Sequence, residues 1–304
     1  MVDRSLPPPE IRASGDMPLK DVLFNPLPHL AGKPLSRWIC RLMLIALKRY
    51  VLEIRNLERI DPRHDPFILL LNHSQKIEVL AVPTLMIFHR RGKLIHFLAD
   101  WNYQLVPGVR PIYRRGGVIT LSHKPANPAW LNVFKPWLTD EVPAMKRARQ
   151  ALAERRSVGI FPEGTVNRDP ARLLAGRRGA ARLSMETGVP VLPVGIRFPE
   201  HPKDRPIPER APMLVDIGSP MMPPSSSHGG KSLARTVREW HAEIMLELAR
   251  LADRRWDPSA KARREREALA EAGFEGRRET VPDQTGCHDQ GRFNGAESVS
   301  GTER

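Results

Sequence analysis

Phe67-Ile68-Leu69-Leu70-Leu71-Asn72-His73-Ser74-Gln75-Lys76-Ile77-Glu78 is the stretch that decides how this chain reads. Five apolar residues in a row, ended by polar ones, are the pattern of a strand buried on both faces. A helical pattern follows over about 77–90. His73 therefore stands where a strand ends and a helix begins. In open α/β sheets, ligands bind at the carboxyl ends of the strands. Glu78, about one turn into the helix, can reach back to the imidazole. A histidine and a carboxylate so placed are the parts of a general base and its orienting group. The spacing alone is equally that of a satisfied surface pair.

Working outward, Leu94–Leu98, Ser157–Phe161, Val191–Ile196 and Met213–Ile217 also read as strands. Helical patterns occupy about 142–155, 177–187 and 231–253. Alternation of the two predicts a layered α/β domain. Phe161-Pro162-Glu163-Gly164-Thr165 follows a second buried strand, so it is expected on the same rim as His73. Gly164 permits a tight turn. Glu163 can bind a hydroxyl, and the Thr165 hydroxyl with the loop amides can hold anionic oxygens.

A histidine with a carboxylate five positions on, and Glu-Gly-Thr about ninety residues later, together resemble the lysophospholipid acyltransferase family, the 1-acyl-glycerol-3-phosphate acyltransferases among them. Val109-Arg110-Pro111-Ile112-Tyr113-Arg114-Arg115-Gly116 resembles the family block whose arginine contacts the acceptor phosphate. Arg114 aligns with that arginine, with Arg115 its close rival. Val189-Pro190-Val191-Leu192-Pro193 resembles a fourth block, with Arg177-Arg178-Gly179-Ala180 upstream of it resembling the family's basic-Gly-Ala helix start, so four blocks lie in order over roughly 50–220. The resemblance implies a mixed sheet flanked by helices with an N-terminal amphipathic helix. It also implies transfer of an acyl chain from acyl-CoA or acyl-carrier protein to a lysolipid hydroxyl. His73 and Glu78 would be catalytic. Arg114, Glu163, Gly164, Thr165 and Arg168 would bind the acceptor, and Pro193 would shape the acyl or thioester pocket. The thioester is already activated, so no cofactor or metal is implied. Two departures stand out: Glu78 where the family usually has Asp, and Val166 where a basic residue usually follows the threonine. The second leaves the acceptor open between lysophosphatidate and another lysolipid such as lyso-ornithine lipid.

The formal charge is +14, and Arg90 to Arg182 alone carries 18 Lys/Arg against 6 Asp/Glu. That field favours an anionic partner: phosphate groups, an acidic membrane surface or nucleic acid. No zinc-finger, RNP or helix-turn-helix signature supports the last. A non-catalytic membrane-binding relative is the other alternative, with Glu78 and Val166 as its signs. Cys40 and Cys287 make no disulfide framework or zinc spacing.

Residues 1–34, with seven prolines, read as an extended arm. Residues 35–50 read as a helix with Arg37, Arg41 and Lys48 on one face and apolar residues around the rest. It suits either a bilayer interface or core packing. The acyltransferase domain is expected over 35–253, and 254–304 as a charged segment and disordered tail. Pro125–Asp140 carries Trp130, Phe134 and Trp137 at roughly helical spacing. It is open between a membrane-dipping lid and a satellite core. No secretory signal and no spanning apolar run is seen. A peripheral place on the cytoplasmic face of the cell membrane is therefore expected.

Overall fold

The computed structural model describes residues 17–122, 124–126, 128–225 and 232–258. The strands there are β1 (Val51–Arg55), β2 (Ile68–Leu71), β3 (His96–Asp100), β4 (Ile119–Leu121), β5 (Val158–Ile160), β6 (Arg172–Leu173), β7 (Val191–Arg197), β8 (Met213–Ile217) and β9 (Arg255–Trp256). The α-helices are α1 (Leu19–Phe24), α2 (Pro34–Leu47), α3 (Glu78–His89), α4 (Val109–Gly116), α5 (Lys135–Leu138), α6 (Ala144–Ala153), α7 (Gly179–Thr187) and α8 (Leu233–Leu251).

Seven strands form one sheet in the order β1-β8-β7-β2-β5-β3-β4. β7, β2, β5, β3 and β4 run parallel, while β8 is antiparallel to β7. This is the expected mixed sheet flanked by helices. β2 lies near its middle, which explains the unbroken apolar run. Leu69 and Leu71 enter the core on one face, with α2 and α3. Ile68 and Leu70 enter the core on the other, with α6, α7 and α8. On α8, Trp240, Ile244 and Leu248 recur every four residues and face the sheet. α8 approaches closely because β7 offers Gly195, where a Cβ would lie 2.2 Å from the Leu251 carbonyl carbon.

Three expectations change. Residues 17–34 are folded: α1 packs on α2, and Val22, Leu27 and Leu30 are buried. Residues 1–16 of the expected arm lie outside the described residues. α2 itself is a helix as expected, but its basic residues do not form a solvated stripe. Arg41 donates to the Val22 and Asn25 carbonyls and Lys48 to that of Met17, so they hold the N-terminal segment down. Leu35, Trp38, Leu42 and Ile45 are left exposed, on the side of α2 away from the buried Cys40 and Leu44. At the other end the fold continues past residue 253, because β9 pairs with β6. The expected tail from 259 onward lies outside the described residues.

Candidate active site

Parallel register brings the two motifs together. Ile68 pairs with Val158 and Leu70 with Ile160, so the residues after β2 and β5 emerge side by side. The His73 amide donates to Glu163 Oε1 at 3.0 Å, and the Asn167 amide to the His73 carbonyl at 2.7 Å. Asn72 fixes the third neighbour: its side chain exchanges two hydrogen bonds with the Ile196 backbone on β7, at 2.7 and 3.0 Å.

His73 is buried, and Glu78, the first residue of α3, is fully buried. The His73 Nδ1 lies 2.6 Å from Glu78 Oε1. The same oxygen accepts from the Ser74 amide at 2.5 Å. An oxygen already accepting one N–H is the acceptor for the imidazole too, so Nδ1 donates and Nε2 keeps its lone pair. The ring rests against Phe161, centroids 5.0 Å apart. A histidine oriented in this way can take a proton at Nε2, with the carboxylate stabilising the imidazolium.

Two buried carboxylates at one rim need compensation. Burial pushes both Glu78 and Glu163 above the usual carboxylate range, and their hydrogen bonds pull them back. Arg254 supplies the countercharge. It is buried just after α8, donates to Ser74 Oγ at 2.7 Å and attracts Glu163, Glu78 and Asp169. Nothing in the sequence around Arg254 signals this role, since it lies 180 residues from Ser74.

Glu163 is spent inside the chain. Oε1 takes the His73 amide, and Oε2 takes Asn167 Nδ2 at 2.8 Å and the Leu174 amide at 2.9 Å. It clamps the two loops together, at the position where the resemblance implied an acceptor hydroxyl. Gly164 has φ +66°, and its carbonyl accepts from Lys124 Nζ at 2.6 Å. Thr165 is exposed beside it. Arg168 is paired with Glu209, which also accepts from the Lys76 amide, so its charge is partly neutralised. Pro193 is buried within β7, paired with Leu70 and against Gly218, as part of the sheet.

Arg114 is not brought to His73. It lines a separate cavity with His96, Gly117 and Arg156. Those residues mark the beginnings of β3, β4 and β5, whereas His73 lies past the end of β2. The physical reason is chain order: α4 ends at Gly116, before β4 begins, so Arg114 falls at the starting end of β4, whereas the residues after Leu121 reach the His73 rim. The basic residue that does so is Lys124, which also pairs with Asp100 at 3.1 Å. Arg177 lies against Gly164 on the same rim, its Nε 3.1 Å from where a Cβ would stand there. Lys124 was missed because β4 has only three residues and leaves a faint pattern in the sequence. Among the described residues, no group of His, Cys, Asp and Glu is placed to hold a metal ion.

A family model described as Acyltransferase matches residues 51–197, the span that contains His73, Glu78, Lys124 and Glu163. Residues 51–197 belong to the acyltransferase family. The chain is 26% identical over 145 residues to two 1-acyl-sn-glycerol-3-phosphate acyltransferases, chloroplastic BAT2 of Brassica napus and chloroplastic LPAT1 of Arabidopsis thaliana. That similarity covers 48% of this chain, and the chain spans 37% and 35% of those relatives. The crystal structure of PlsC, the 1-acyl-sn-glycerophosphate acyltransferase of Thermotoga maritima, aligns at TM-score 0.49 and 23% identity. The alignment covers 78% of this chain and 88% of that one. The acyltransferase domain of this chain thus contains the His73–Glu78 pair, while Arg254, the countercharge to its carboxylates, lies outside the matched span.

Proposed function

We propose that this chain is an O-acyltransferase that moves a fatty acyl chain from acyl-CoA or acyl-carrier protein to the hydroxyl of a lysophospholipid. 1-Acyl-glycerol-3-phosphate is the first acceptor to test, since both plant relatives are named for it. The observation that carries this reading is the buried His73–Glu78 pair on the strand rim of an acyltransferase-family domain.

In the reaction, His73 Nε2 accepts the proton of the acceptor hydroxyl as its oxygen attacks the thioester carbonyl carbon. The C–O bond forms, the C–S bond breaks, and the proton passes from His73 to the departing thiolate. Glu78 steadies the transient imidazolium. Lys124 and Arg177 stand where the acceptor phosphate would be received, taking the part first assigned to Arg114. The reading calls for no metal, because the thioester is the activated group.

The work is done at a membrane surface. Among the described residues no helix is long and apolar enough to cross a bilayer. The exposed Leu35, Trp38, Leu42 and Ile45 on α2 form an apolar stripe of the kind that lies in an interface. Attachment is peripheral, at the cytoplasmic face, where the acyl donors are found.

The test is transfer from labelled acyl-CoA and acyl-carrier protein to a panel of lysolipids, with His73→Ala as control. Transfer that the substitution abolishes supports the enzyme, and the preferred acceptor identifies the lipid. A folded protein that binds vesicles and transfers nothing to any acceptor would instead support a non-catalytic relative.

A further inference from the structure

The aromatic segment between β4 and α6 packs into neither core. Trp130, Val133, Phe134 and Trp137 follow i, i+3, i+4, i+7 spacing along the 3₁₀ stretch Ala129–Phe134 and α5. Trp130 is 67% exposed and Trp137 71%. Two tryptophans this open to water on one turn-and-helix segment mark an interaction surface.

The cavity beside them gives that surface a charge. It measures 560 Å³, and Trp137 forms part of its wall. Arg110, Arg114, Arg147 and Arg156 line it against the single carboxylate of Asp140. Asp140 pairs with Arg147, and Arg156 pairs with Glu154. Arg110 and Arg114 form no hydrogen bond or ion pair among the described residues. Guanidinium forks that are free and clustered match phosphate oxygens. The cavity opens at the beginnings of the parallel strands, so a ligand there is not the one reacting at His73.

Packing links this patch to α2. α2 touches α4, α4 touches the stretch Trp101–Leu105, and that stretch touches α5. Tyr103 and Val106 are exposed along this path.

We propose that the arginine cavity binds the phosphate headgroup of an anionic phospholipid while Trp130, Phe134 and Trp137 enter the same leaflet, a second membrane contact besides α2. Tryptophan favours the headgroup level of a bilayer, and arginine beside it favours an acidic leaflet. The proposal rests on the reading that the protein works at a bilayer, and vesicle binding reports on it without acyl transfer.

The experiment is co-sedimentation of the full chain with phosphatidylcholine vesicles, with and without phosphatidylglycerol. The unaltered protein is expected to prefer the acidic vesicles. Arg110→Gln/Arg156→Gln is expected to weaken binding to acidic vesicles roughly tenfold or more and leave binding to neutral ones unchanged. Trp130→Ser/Trp137→Ser is expected to weaken both and to reduce quenching of tryptophan fluorescence by brominated lipid to the share that Trp38 contributes. Turnover on a detergent-dispersed acceptor is expected to stay at the unaltered level in both variants. Unchanged vesicle binding by the arginine variant overturns the proposal. So does a raised KM for acyl-CoA in detergent, which would give the arginines to the donor's phosphates. An unaltered protein that binds vesicles through this patch and transfers nothing defeats the enzyme reading and leaves this one standing.

Discussion

Arg254 Nη2 donates to Ser74 Oγ at 2.7 Å, joining the turn that follows α8 to the residue after the candidate base. The guanidinium is the buried cation that attracts both Glu78 and Glu163. Removing one member of a buried charge group leaves the others uncompensated. Arg254→Met is expected to lower unfolding free energy by about 3 kcal/mol. Urea denaturation checks this, and Arg254→Lys is expected to recover part of the loss. A stability equal to the unaltered protein's would show that the carboxylates are compensated elsewhere.

Glu78 Oε1 sits between the His73 ring and the Ser74 amide. Glu78→Gln keeps the shape and removes the charge that, in the proposed reaction, stabilises the imidazolium. It is expected to lower kcat by roughly 10²–10⁴-fold. Glu78→Asp withdraws the carboxylate by about one bond length, 1.5 Å, and is expected to cost roughly 10- to 100-fold. An Asp variant faster than the unaltered enzyme would show that the extra methylene is not built into this dyad.

Both oxygens of Glu163 accept hydrogen bonds from within the chain. Glu163→Gln turns one acceptor into a donor facing a donor. The expected result is a loss of about 1–3 kcal/mol in stability. A variant of full stability with only a raised acceptor KM would return Glu163 to substrate binding.

Lys124 reaches the Gly164 carbonyl, whereas Arg114 lies at the other strand ends. Lys124→Met is expected to raise the KM for a phosphate-bearing acceptor roughly tenfold or more, with a smaller change in kcat. Steady-state kinetics on dispersed lysophosphatidate decide it. A kcat effect larger than the KM effect would place Lys124 in the transition state instead.

Burial pushes His89 from 6.5 to about 4. The folded chain thus binds fewer protons at this site than the unfolded chain between those values. Its stabilising effect is complete above pH 6.5 and is lost as pH falls towards 4, by at most about 3 kcal/mol. The raised carboxyls of Glu78 and Glu163 act in the opposite sense, losing stability as pH rises above 4.5. Comparing the pH dependence of unfolding with that of His89→Gln isolates the histidine. The difference should shrink as pH falls from 6.5, and a difference independent of pH would count against it.

Local pattern along the chain governs much of this fold. An apolar run ending at Asn72 specifies a buried strand, and a strand ending before His73 puts that histidine on the rim. The same logic placed Glu163 beside it, because parallel strands of equal reach end together. The one-turn offset of Glu78 foretold its bond to the imidazole. Tertiary structure decided which polar atoms remain free once the chain has closed on itself. Glu163 is consumed by three internal donors and Arg168 by Glu209, and Arg41 faces α1 and not water. Arg114 and Lys124 lie on opposite rims because they flank the two ends of a three-residue strand. Arg254 became part of the site only through the packing of α8 on β7. Spacing along the chain fixes which side chains share a face, but only the folded chain fixes which charges meet.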